Sequence, residues 1–64
     1  MKRRWVIILR HCKEFLNKSK SDYTPDVTQA SIFRRRKDAR FSVEDNGQEK
    51  CIRLNERQLE QIGE

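Results

Sequence analysis

The sequence predicts a small α+β domain in which two helices precede a β-hairpin and a short third helix closes the chain. Three observations predict it: apolar residues spaced as on one helical face near the N-terminus, a Thr24-Pro25-Asp26 helix start, and an Asn46-Gly47 turn between alternating segments. At 64 residues only one domain fits, residues 1–64, because a chain this short hides only about 60% of the surface its unfolded form exposes. Hydrophobic residues make up 34% and charged residues 39%, which predicts a thin core.

Over residues 3–18 the apolar side chains fall at Trp5, Ile8, Cys12 and Phe15, with Leu9 and Leu16 beside them, the three-then-four spacing of an amphipathic helix. The rival reading is a short strand over Trp5–Leu9, since Val6, Ile7 and Ile8 are β-branched. Cys12, Phe15 and Leu16 favour the helix. Residues 17–21 are uniformly polar and end it.

Thr24-Pro25-Asp26 supplies a capping hydroxyl, a proline whose missing N–H costs nothing at a first helical position, and a carboxylate at the positive helix end. A second helix is predicted over residues 25–38, through Val27, Ala30, Ile32 and Phe33. Its last turn carries Arg34, Arg35, Arg36 and Lys37, where cations suit the dipole.

Asn46-Gly47 is a strong two-residue hairpin signal, because a type I′ turn needs positive φ at both central positions. Folding about it opposes Val43 to Lys50, Phe41 to Ile52 and Ala39 to Leu54 on an apolar face. The other face pairs Glu44 with Glu49, and Arg40 with Arg53, whose like charges are suited to a bridging phosphate. Asn55 followed by Gln58 reads as a capping box for the last helix, with Leu59 and Ile62 on its apolar edge and Gly63 as its stop.

Charge is distributed unevenly along the chain, whose formal net charge is +5. Residues 1–20 hold seven Lys and Arg against one Glu, and residues 34–40 hold five against one Asp; residues 41–64 hold three against six acids. Clustered positive charge predicts one face turned to a polyanion, nucleic acid first. Enzyme chemistry is not expected. His11 and Cys12 are adjacent, so on a helix they point about 100 degrees apart and form no nucleophile-base pair. They and Cys51 fall short of a four-ligand zinc set, and Gly47 and Gly63 make no phosphate loop, so neither metal nor cofactor is predicted. Cys12 and Cys51 read as two buried small hydrophobes. The five-residue apolar run is too short for a membrane span or a secretory leader, so a cytosolic protein is expected.

Val27-Thr28-Gln29-Ala30-Ser31-Ile32, followed by Phe33-Arg34, resembles the start of the recognition helix of helix-turn-helix regulators. With the basic run, the hairpin and the closing helix, residues 27–62 resemble the small excisionase-type winged helix-turn-helix proteins of phages and mobile elements. That resemblance implies a duplex-DNA-binding regulator of transcription or recombination. It places Gln29 and Ala30 in the major groove, with Thr28 and Ser31 beside them among the DNA-binding residues, Arg34, Arg35, Arg36 and Lys37 on phosphates, and Arg40, Lys50 and Arg53 along a hairpin wing. A recognition helix starting at Thr28 competes with a single capped helix starting at Pro25, and the sequence leaves both open. RNA is a second candidate partner, through basic residues beside Trp5, Tyr23, Phe33 and Phe41. A third reading is an interaction module or inhibitor that docks on a host protein, or on a second copy, through Trp5, Ile8, Leu9 and Cys12 of the first helix, residues 5–16. Attachment to an anionic membrane through the same helix is the least favoured.

Overall fold

In the computed structural model, which describes residues 3–43 and 47–64, the apolar run near the N-terminus is a β-strand. β1 (Trp5–Leu9) lies between β2 (Phe15–Leu16) and β4 (Glu49–Arg53). β3 (Tyr23–Thr24) completes a four-stranded antiparallel sheet of order β3-β2-β1-β4. A 3₁₀ turn (Val27–Gln29) and α1 (Arg36–Ser42) occupy the connection from β3 to β4, and α2 (Glu56–Gln61) follows the sheet. The α+β class holds, but the helix-first order does not.

Burial on both faces explains the first correction, the helix over residues 3–18. Val6 and Ile7 are adjacent and both 0% exposed. Successive strand side chains point to opposite faces, so each meets a different layer and contributes about 1.5–3 kcal/mol. A strand covered on both sides reads as an unbroken apolar run. The helical spacing beyond it reflects a hairpin, in which the Leu9 amide donates to the Glu14 carbonyl at 3.0 Å and Phe15 sits opposite Ile8. Cys12 is exposed in the loop between them and Cys51 is half-buried, so the pair are not buried hydrophobes.

One face of the sheet carries the main core. Val6, Phe15, Val27, Ala30, Leu54 and Leu59 pack together, with Ile8, Ile32, Ile52 and Ile62 against them. On the opposite face α1 lies across β1 and β4, above Ile7, with its own Ala39 fully buried.

The helix over residues 25–38 is the second correction. Asp26 does cap: its carboxylate accepts from the Thr28 amide at 3.0 Å and the Thr28 hydroxyl at 2.7 Å, while Thr24 Oγ1 accepts from the Asp26 amide. The result is a single 3₁₀ turn that stops at Ala30 (φ −78, ψ 153). Beyond it the sheet takes the backbone. Lys18 donates to the Gln29 carbonyl, Ser31 donates to the Leu16 carbonyl, and Trp5 and Phe33 exchange two hydrogen bonds of 2.8 and 2.9 Å. Ile32 and Phe33 favour that extended form. No recognition helix starts at Thr28.

The hairpin is the third correction. Residues 36–42, of which the hairpin reading assigns 39–42 to its first strand, are helical, and β4 instead pairs with β1 in the register Trp5↔Arg53, Ile7↔Cys51 and Leu9↔Glu49. Hydrogen bonds from Arg10 to Gln48 and from Leu54 to Arg4 extend this ladder at both ends. An apolar run of five is a better partner for β4 than the sparse Ala39, Phe41 and Val43 alternation, which is why Arg40 and Arg53 are not cross-strand neighbours. The Glu44–Glu49 pairing and the Asn46 half of the turn lie outside the described residues. Gly47 has the positive φ (75) that the turn reading required.

The last helix is as predicted. The Gln58 amide donates to Asn55 Oδ1 at 2.8 Å and the Asn55 amide donates to Gln58 Oε1 at 3.0 Å, closing the capping box. Gly63 (φ 83) ends α2 in a Schellman arrangement, with Glu64 donating to the Leu59 carbonyl and Gly63 to that of Glu60. Arg4 then pairs in two-pronged fashion with the Glu64 carboxylate, both contacts 3.1 Å.

Candidate nucleic-acid interface

Spacing on α1 sets the geometry of the basic surface. Arg36 and Arg40 are four residues apart and therefore stack along one row of the helix, while Lys37 and Phe41 form the adjacent row. The Arg36–Arg40 row faces an open cleft of about 510 Å³. Arg10 from the end of β1 and Lys50 from the start of β4 join it there, along with Glu49 and Cys51. Four cations from three separate segments thus converge on one concavity. Among the described residues none of the four is held in an ion pair with a carboxylate.

Two features order this cleft. The Arg36 guanidinium lies over the Trp5 ring, 5.7 Å from its centre, a cation–π contact that limits the freedom of a long side chain. Glu49 is 4% exposed, and the Tyr23 hydroxyl donates to its carboxylate. That acid lines the cleft as a buried group, whereas the four cations that line it are exposed.

Local helix stability accounts for Arg40, in the last turn of α1 where the dipole favours a cation, but not for the cations at its start. Arg36 and Lys37 occupy the first turn of α1, where the helix dipole is positive, and Arg35 at the N-cap makes no side-chain capping bond. Each such cation costs about 0.3–1 kcal/mol, offset only in part by Asp38 in the same turn. The expected placement at a helix C-terminus would have been favourable. Phe41 is equally unexplained by folding: it is 92% exposed, leaving unrealised the roughly 1.5–3 kcal/mol that burying such a side chain contributes.

The structure divides the sequence-predicted site residues into groups. Arg36, Arg40 and Lys50 come together, with Lys37 on the neighbouring row. Arg34 and Arg35 are exposed just before α1. Arg53 lies opposite Trp5 on the α1 side of the sheet but does not line the cleft, whereas Lys50, opposite Ile8, lines it from the edge strand β4. The four residues expected at the recognition helix are placed elsewhere. Ala30 is 0% exposed in the core, Ser31 bonds to β2, and Thr28 is occupied with Asp26 beside Gln58 of α2. Trp5, Ile8, Leu9 and Cys12 do not form one patch either: Ile8 packs into the main core, Trp5 and Leu9 alternate to the α1 side, and Cys12 is in a loop. Arg10 and Glu49 were not legible as site residues until β1 and β4 are known to pair. The one signal for Arg10 is its place directly after a β-branched run.

Among the described residues no three His, Cys, Asp or Glu side chains gather as a metal site, and no helix is long and apolar enough to cross a membrane. No family model, curated protein or solved structure matches this chain.

Proposed function

We propose that this protein binds nucleic acid by its phosphate backbone, through the cleft formed by Arg10, Arg36, Arg40 and Lys50. The observation that carries this reading is that those four cations, from the end of one strand, one helix and the start of another strand, line one cleft with no ion pair to a carboxylate among the described residues. Clustered guanidinium groups suit phosphate because each offers two parallel donors to two oxygens. Arg36, already stacked on Trp5, loses less freedom on binding than an unrestrained arginine. A regulator of transcription or recombination, as the excisionase-like resemblance implies, is one setting for such contacts, but base reading by Gln29 and Ala30 is no part of the proposal.

Fluorescence anisotropy with labelled oligonucleotides tests it. Arg36→Ala combined with Arg40→Ala is expected to weaken binding about tenfold or more at low salt, since each charge-assisted contact is worth on the order of 1 kcal/mol or more. Arg57→Ala combined with Lys13→Ala, two exposed cations outside the cleft, serves as the charge-matched control and leaves affinity nearly unchanged. Equal losses in the two variants would reduce the cleft to a share of the general positive field and refute the assignment.

A further inference from the structure

Phe41 stands on the outer side of α1 with 92% of its surface exposed, one helical row away from Arg36 and Arg40. Beside it runs a shallow groove of about 340 Å³, walled by Lys37, Phe41 and Ser42 of α1 and, across from them, by Phe33 and Lys20, with Asp38 as its acidic member. The Lys20 ammonium lies 5.4 Å from the centre of the Phe33 ring. Two aromatic rings and two ammonium groups thus share one groove, and α1 separates it from the basic cleft by no more than its own width.

From this juxtaposition we infer that the ligand is a single-stranded nucleic acid, with a base stacked on Phe41 while neighbouring phosphates lie against the Arg36–Arg40 row. The inference rests on the phosphate-binding reading above and adds the class of strand. An exposed ring needs a free base face, and a single strand presents one for every nucleotide. In a duplex those faces are already covered, and a ring reaches them only by prising a base step apart. Lys37 and Lys20 match the charge of the phosphates on either side of a stacked base, which an apolar protein partner or a second copy of this basic chain would not supply.

Labelled oligothymidylate, oligouridylate and a mixed-sequence duplex, titrated against wild type, Phe41→Ala, Phe41→Leu and Phe41→Trp, separate these alternatives. Phe41→Ala and Phe41→Leu are expected to lose about tenfold or more on the single strands, while Phe41→Trp retains affinity and duplex binding stays within about twofold. A larger loss on one single strand also supports the inference and identifies the preferred strand. Because the side chain is exposed, thermal unfolding of the variants should match wild type. Undiminished single-strand binding by Phe41→Ala, retention by Phe41→Leu, or an equal loss on duplex overturns the stacking role. If the Arg36 and Arg40 double variant at the same time loses binding to every probe, the phosphate reading survives that failure; a wild-type protein that binds none of the three overturns both.

Discussion

Asp26 shows how much one side chain settles locally. Hydrogen bonds from the Thr28 hydroxyl and then the Thr28 amide hold its carboxyl below the usual carboxylate range, although the group is exposed. A depressed folded-state pKa contributes stability that is present above the unfolded value, about 3.9, and lost as pH falls through the folded one. Acidification below about pH 4 should therefore loosen the 3₁₀ turn, and Asp26→Asn should lack that component while keeping an acceptor for the Thr28 donors. Urea midpoints measured between neutral and acidic pH check this; the same acid loss in wild type and Asp26→Asn would show that the cap is not the titrating group. The capping chemistry at residues 24–26 was legible in the sequence, but its extent was not. A cap reports where a turn starts, and the competition between helix and sheet for residues 29–33 is decided by Leu16, Lys18 and Trp5, far from the cap in sequence.

Elements differ in the same way. α2 was readable to the residue because its start, stop and apolar edge all fall within residues 55–64. Asn55→Ala should cost about 1 kcal/mol, lowering the melting temperature by roughly 4–8 °C for a domain of this size, as calorimetry would record. A change within about one degree would mean that α2 is held by its core contacts alone. β1 and α1 were not readable. The Val6-Ile7-Ile8 run satisfies either a helix or a doubly covered strand, and only pairing with residues 49–53 selects the strand. Once β4 has β1 as partner, Ala39, Phe41 and Val43 are released from the hairpin, and Ala39 becomes the buried contact of a helix.

At the scale of the molecule, the uneven charge seen along the chain becomes a geometric fact. The N-terminal basic block contributes Arg10, the central block Arg36 and Arg40, and the third segment Lys50, while Glu49 of the acidic third is folded inward against Tyr23. Clustering of cations was visible in the sequence, and the surface they would form was not, because two of its four members lie at the ends of strands whose pairing is long-range: Arg10 just after β1 and Lys50 near the start of β4. Salt dependence measures this surface most directly. With four phosphate contacts on a single strand, log Kobs should fall against log salt with a slope of about −3, at roughly 0.7 per contact, and to about half that in the Arg36→Ala, Arg40→Ala double variant. A wild-type slope near zero, or a slope that the double variant leaves unchanged, would contradict phosphate binding by this cleft.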